Sequence, residues 1–188
     1  MKIMVVGGGG REHALIQALK KNPEVTEIFA LPGNGGIAQD AVCVDIAATD
    51  LPAIVAFAEK EHIEYAVVAP DDPLVLGLVD ALEEKGIPCF GPRKNAAIIE
   101  GSKAFAKNLM KKYGIPTAEY EIFDDMEAAL SYIDRRPAPM VVKADGLALG
   151  KGVLICRTRE EARQAVRFMM EQGAFGASGR RVVVEEFL

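Results

Sequence analysis

The sequence is poor in the residues from which most metal and redox sites are built. Its 188 residues include two histidines, His13 and His62, and three cysteines, Cys43, Cys89 and Cys156. Two histidines cannot form a histidine-based metal cluster. Three cysteines, odd in number, far apart and each set among apolar neighbours, predict buried free thiols rather than a disulfide framework or a zinc site. No apolar run approaches the roughly 18 to 20 residues needed to cross a bilayer. Met1 and Lys2 lead straight into an apolar strand with no signal-peptide cleavage pattern. These absences predict a cytoplasmic protein with no membrane partner. Lys/Arg clusters are missing too, and the formal charge is -5, so no basic face exists to neutralise the phosphates of a nucleic acid. Nothing resembles a nucleophile elbow or a Ser/His/Asp set, which leaves a covalent hydrolase without support. What is present is a chain 50% hydrophobic and 26% charged, able to bury a core and suited to small substrates.

Short apolar runs bounded by Gly, Pro or Asn predict strands at 3–6, 28–31, 42–44, 66–69 and 88–90. Helical patterns separate most of them, at 11–21, 51–61 and 74–85. Asp50 with Pro52 marks a helix start, and Gly86 with Pro88 marks a stop. Alternation of this kind predicts an α/β fold: a parallel, Rossmann-like sheet covered on both faces. Its ligands would bind beyond the carboxyl ends of the strands. After Gly91 and Pro92 the rhythm changes. A helix at 102–113 should end at Gly114, with residues 114–117 as a hinge. A small α+β unit follows, with strands at 119–123, 140–144, 153–156 and 181–186, a helix at 126–134, and another capped by Thr158 and Glu161. The expected domains are 1–100, a linker helix and hinge at 101–116, and 117–188. Because the chain stops at Leu188 inside an apolar, strand-like segment with no cap or polar tail, it reads as cut.

Four segments could carry chemistry. Gly7-Gly8-Gly9-Gly10-Arg11-Glu12-His13 lies between the first strand and first helix, where backbone amides and a helix amino terminus favour a phosphate. A tight structural turn is the alternative. A dinucleotide fingerprint is not met: Glu12 or His13 stands where the third glycine belongs, and the second strand ends at Pro32-Gly33-Asn34 without an acid for the ribose. A nicotinamide-dependent oxidoreductase is disfavoured accordingly. Pro32-Gly33-Asn34-Gly35-Gly36 reads either as a cover for a sugar phosphate on the same sheet edge or as a solvated loop. Asp71 and Asp72 could accept hydrogen bonds from ribose hydroxyls, cap the next helix, or do both. The strongest segment is Lys143-Ala144-Asp145-Gly146-Leu147-Ala148-Leu149-Gly150-Lys151-Gly152-Val153, a lysine-ended strand, a glycine flap and a second strand. Such a hairpin can fold over a nucleotide triphosphate. It lacks the Walker A spacing, and an ordinary hairpin with surface lysines is the alternative.

In identity and order, four stretches resemble the phosphoribosylamine-glycine ligase family of the ATP-grasp superfamily. They are Gly9-Gly10-Arg11-Glu12-His13-Ala14; Pro32-Gly33-Asn34; Gly91-Pro92 with Glu100-Gly101-Ser102-Lys103; and Lys143 to Ala148 with Gly150-Lys151-Gly152-Val153. The resemblance spans the chain down to Glu185-Glu186-Phe187-Leu188. It implies a pre-ATP-grasp domain followed by the first, small ATP-grasp subdomain. It also implies a ligase joining glycine to phosphoribosylamine through a glycyl phosphate, with ATP and magnesium as cofactors. By position, Gly8, Gly9, Gly10 and Arg11 would meet the sugar phosphate, with Asn34 and Asp71 near the ribose. Lys103 and Lys143 would meet the ATP phosphates, Gly146, Gly150, Lys151 and Gly152 would cover them, and Glu185, Glu186, Phe187 and Leu188 would line the adenine pocket. The family usually reads Gly-Pro-Glu after the fourth strand, where Ala69-Pro70-Asp71 stands here, so the acid is shorter. Metal ligands and most of the glycine site are expected beyond Leu188, so no catalytic set is complete and the chain alone is expected to be inactive. The open alternatives are another carboxylate-amine ligase of the superfamily and a non-catalytic sugar-phosphate or nucleotide binding module.

Overall fold

A computed structural model describes residues 1–148 and 150–188; Leu149, part of the expected flap, lies outside the described residues. The chain divides into two compact units, Met1–Ala97 and Ile98–Leu188. No helix among the described residues is long and apolar enough to cross a membrane.

In the first unit, strands β1 (Lys2–Gly7), β2 (Glu27–Pro32), β3 (Val42–Cys43), β4 (Tyr65–Val68) and β5 (Cys89–Phe90) form one sheet. Its order is β3-β2-β1-β4-β5, and every pairing is parallel. Alternation along β1 sends Met4 and Val6 into one core cluster and Ile3 and Val5 into another. The strand is therefore apolar on both faces, as a sheet covered on both sides requires. Helices α2 (Leu51–Lys60) and α4 (Leu78–Glu84) bury Ile54, Ala58, Leu78, Val79 and Leu82 on the first face. Helix α1 (Gly10–Leu19) buries Ile16 on the second.

The structure departs from three expectations. The helix expected at 74–85 is two helices, α3 (Asp71–Leu76) and α4, because Gly77 at φ 99° takes a left-handed conformation that ends one and starts the other. A further helix, α5 (Lys94–Gly101), was not expected at all. Cys43 is exposed rather than buried, since β3 is a two-residue strand at the sheet edge and its neighbour Val42 is exposed as well.

The second unit opens with α6 (Lys103–Lys112), started by Ser102, whose hydroxyl accepts from the Phe105 amide. Four antiparallel strands follow: β6 (Tyr120–Phe123), β7 (Met140–Ala144), β8 (Val153–Cys156) and β9 (Val182–Glu186), ordered β6-β9-β7-β8. Helices α7 (Met126–Arg135) and α8 (Arg159–Val166) cover one face, burying Leu130, Ile133 and Val166 against Met140, Val142, Ala144, Val182 and Val184. The register, with Val141 opposite Glu185 and Ile155, and Lys143 opposite Val183 and Val153, places these six residues on the other face. That face is not closed: Ile155 is 59% exposed and Val153 43%.

Candidate functional site

The turns after β1, β2 and β4, beyond the carboxyl ends of the strands, meet in the first unit. Parallel order puts β1 between β2 and β4, the point from which successive connections run in opposite directions, so the turns after these strands lie side by side. The Gly33 amide donates to the Gly7 carbonyl at 3.2 Å, and the Asn34 side-chain amide donates to the Gly8 carbonyl at 2.7 Å. Asn34 Oδ1 also accepts from the Gly36 and Ile37 amides, so one side chain fixes both glycine turns. A Cβ on Gly8 would stand 2.5 Å from the Gly33 carbonyl oxygen, and one on Gly7 would stand 2.9 Å from Pro70 Cγ. Gly10 differs: nothing lies within 4 Å of its Cβ position, so no internal packing demands glycine there.

Glu12, which occupies the place of a dinucleotide-binding glycine, has a structural task. Its carboxylate is 3% exposed and accepts from the Gly9 amide at 2.5 Å, while Oε1 has no hydrogen-bond partner. The Gly9 amide is thus engaged inside the turn. Arg11 is exposed and borders an apolar groove of about 580 Å³ with Val68, Leu74, Phe90 and Pro92. Asp71 and Asp72 lie in the first turn of α3 and neither side chain caps it. Behind the turns, Asp40 accepts from Lys20 at 2.6 Å and pairs with His13 Nε2 at 2.8 Å; these contacts, Lys20 first, bring its carboxyl down to about 2.

The second unit gathers the lysines. Lys103 Nζ donates to the Gly146 carbonyl at 3.0 Å. Burial, the largest influence, and the nearby Lys143 charge hold its ammonium below the ordinary lysine range, against the pull of Asp145 and Glu100. Lys143 Nζ lies 2.8 Å from Glu185 Oε2. Lys107, which sequence reasoning missed, reaches the same oxygen at 3.0 Å. Its signal was available: four residues after Lys103, it shares that lysine's helix face.

Asp145 ties the root of the flap to α6, accepting from the Ala104 amide at 2.7 Å and from the Ser102 hydroxyl at 2.9 Å. Gly146 packs against the 3-10 turn Gly176–Gly179, where an added Cβ would lie 2.8 Å from Ser178 Cβ. Gly150, at φ 75°, and Lys151 are exposed. Gly152 is buried, its carbonyl accepting from the Ala144 amide at 2.8 Å. Glu185, Glu186 and Phe187 border a cavity of about 300 Å³ together with Tyr132, Pro139 and Met140; Leu188 does not line it and is exposed. Among the described residues no three His, Cys, Asp or Glu side chains are grouped to hold a metal ion.

A parallel α/β unit with converging glycine turns, followed by an antiparallel unit with a lysine cluster and a glycine flap, defines a protein of the ATP-grasp class. The family model described as phosphoribosylglycinamide synthetase, N domain, matches residues 1–100, and that of its ATP-grasp (A) domain matches residues 101–188. The chain belongs to the phosphoribosylglycinamide synthetase family. It is 52% identical over 190 aligned residues to the phosphoribosylamine-glycine ligase of Allochromatium vinosum, covering 100% of this chain and 44% of that protein. The crystal structure of the Thermotoga maritima phosphoribosylamine-glycine ligase superposes with a TM-score of 0.79 at 34% identity, over 100% of this chain and 44% of that one. The biotin carboxylase domain of the Hydrogenobacter thermophilus 2-oxoglutarate carboxylase, solved with MgADP, superposes with a TM-score of 0.81 at 22% identity, over 100% of this chain and 44% of that one, a likeness of fold. The chain therefore spans less than half the length of the relatives it matches.

Proposed function

We propose that this chain supplies the sugar-phosphate turns and part of the nucleotide site of an ATP-dependent ligase that joins glycine to 5-phosphoribosylamine, giving glycinamide ribonucleotide, ADP and phosphate. A carboxylate is a poor electrophile. Transfer of the terminal phosphoryl group of ATP to glycine makes a mixed anhydride, and attack by the sugar amine then forms the amide and expels phosphate. The protein's task in such a transfer is to position reactants and offset charge. The observation that carries the reading is the meeting of Lys103 with the flap root and of Lys143 with Glu185 in one unit. Lys103, Lys143 and Lys151 would face the phosphates, with Gly146, Gly150 and Gly152 shaping the flap. Glu185, Glu186, Phe187 and Leu188, at the end of β9, would lie along the purine base.

In the first unit, Gly8, Gly10 and Arg11 would hold the sugar phosphate, with Asn34 and Asp71 toward the ribose; Gly9, its amide given to Glu12, would shape the turn rather than donate to the phosphate. The free space at Gly10 supports a close approach there. Magnesium, which accompanies ATP in the superfamily, finds no donor cluster among the described residues. The division into 1–100, 101–116 and 117–188 belongs to the same reading, supported by the boundary between the two matching family models. Calorimetric titration tests it. The chain should bind ATP and ribose 5-phosphate separately, Lys143→Met should weaken ATP by roughly tenfold or more, and ribose 5-phosphate should be unaffected by that change. ATP affinity indifferent to Lys143→Met would overturn the nucleotide assignment. Since the chain spans 44% of its relatives' length, binding without ADP release from ATP, glycine and phosphoribosylamine is the expected result.

A further inference from the structure

Lysine is almost never fully buried unless it is paired, yet Lys107 is 6% exposed. Its ammonium has three hydrogens to give. Thr117 Oγ1 lies at 2.7 Å, the Ala118 carbonyl at 3.3 Å and Glu185 Oε2 at 3.0 Å, so every donor position is used inside the protein. The Tyr120 ring, 5.4 Å away, covers it further. A side chain held in this way does not meet a ligand. Lys143 is different: it touches the same Glu185 oxygen at 2.8 Å, its side chain is one quarter exposed, and it stands on the open face of the sheet with Val153 and Ile155.

Resting on the nucleotide reading above, we propose that Lys107 is a positioning residue whose charge offsets Glu185 and so leaves Lys143 available to a bound polyphosphate. Glu185 is 5% exposed, and a carboxylate buried that deeply requires a counter-charge. With two ammonium groups on one carboxylate, the assembly keeps a net single positive charge. Without Lys107 the carboxylate would be matched by Lys143 alone, and the pair would be neutral. The remaining carboxylate oxygen, Oε1, is buried without a hydrogen-bond partner, so the two lysines on Oε2 are the direct contacts that meet that demand.

Inorganic triphosphate, titrated calorimetrically into the full 188-residue chain at low salt, isolates this charge effect from recognition of the base. Lys107→Met should bind it about tenfold more weakly than the parent chain. Glu185→Gln, which releases both lysines, should bind it several-fold more tightly. The double variant Lys107→Met/Glu185→Gln should return to within about threefold of the parent. A purely packing role for Lys107 also allows the tightening, since Glu185→Gln removes a negative charge beside Lys143, but it predicts no weakening in Lys107→Met and a double variant as tight as Glu185→Gln; that pattern would overturn the proposal. Glu185→Gln leaves Lys107 without its counter-ion and Lys107→Met leaves Glu185 with one fewer, but the double variant removes both charges together, so its comparison with the parent survives if either single variant does not fold. Binding by the parent with no ordered change among the variants overturns this inference alone, whereas no binding by the parent overturns it together with the nucleotide reading.

Discussion

Each unit buries one glutamate at its candidate site, and the two carboxylates are satisfied by different means. Glu12 accepts a backbone amide from the glycine turn that it follows. Glu185 accepts two lysine ammonium groups from separate elements, α6 and β7. The first contact spans three residues and needs only the local turn, so it stiffens a loop at little electrostatic cost. The second joins segments 78 and 42 residues apart and needs the whole unit to be folded. A backbone-built site is exacting about volume, a site built from charged side chains about charge balance.

The largest expected effect breaks the second arrangement. Glu185→Ala leaves Lys107 buried without its counter-ion and should cost about 3–5 kcal/mol in urea unfolding. Next comes volume in the first arrangement. Gly8→Ala drives a Cβ against the Gly33 carbonyl, a backbone atom that cannot swing aside, and should cost about 1–3 kcal/mol. Gly10→Ala sharpens the contrast, since its Cβ position is open at the start of α1. It should stabilise the chain by about 0.5–1 kcal/mol while weakening ribose 5-phosphate binding, two opposite signs in one variant. Equal destabilisation by the two alanines would remove the distinction between packing and ligand glycines.

The two units should also differ in pH response. Burial, first among the influences on Lys103, disfavours its charged form, so its contribution to stability is unfavourable at neutral pH and is relieved as pH rises toward the ordinary 10.5. Triphosphate binding should weaken over that same alkaline range as the ammonium is lost, measured against Lys103→Gln. Asp40 supplies the smallest effect, with the opposite sense. Its carboxyl is brought down from 3.8 to about 2 by Lys20 and then His13, so the stabilisation is complete above 3.8 and is lost as pH falls through about 2. Asp40→Asn should flatten the melting temperature over that acid interval, and an unchanged slope would remove Asp40 from the account.

Much of the second unit was legible because its strands are short, apolar and bounded: the expected 140–144 and 153–156 match β7 and β8 at both ends. The break at Gly77 was not, since the apolar helical pattern continues across it and only the left-handed backbone reveals the turn. α5 escaped because its eight residues bury only Ala97, leaving little pattern to read. Among the site residues, the glycine turns and Lys103 and Lys143 stood out by local chemistry. Lys107 did not: its place on the helix face of Lys103 was readable, but a helical lysine reads as solvated until its buried partner is known. The same limit hid Glu12, which appeared only as a glycine missing from a fingerprint.

The strand and helix rhythm, the parallel sheet followed by a mixed unit, and the glycines and lysines on which the candidate sites rest are all written into the order of residues. Those features follow from periodicity and local backbone freedom, which act over a few residues. Which charges are buried together is settled by the folded chain. Glu185 meets Lys107 and Lys143 because β9 lies beside β7 and α6 reaches the same sheet face. Pairing across such distances along the chain is set by packing of the folded core, on which no short stretch of residues can report.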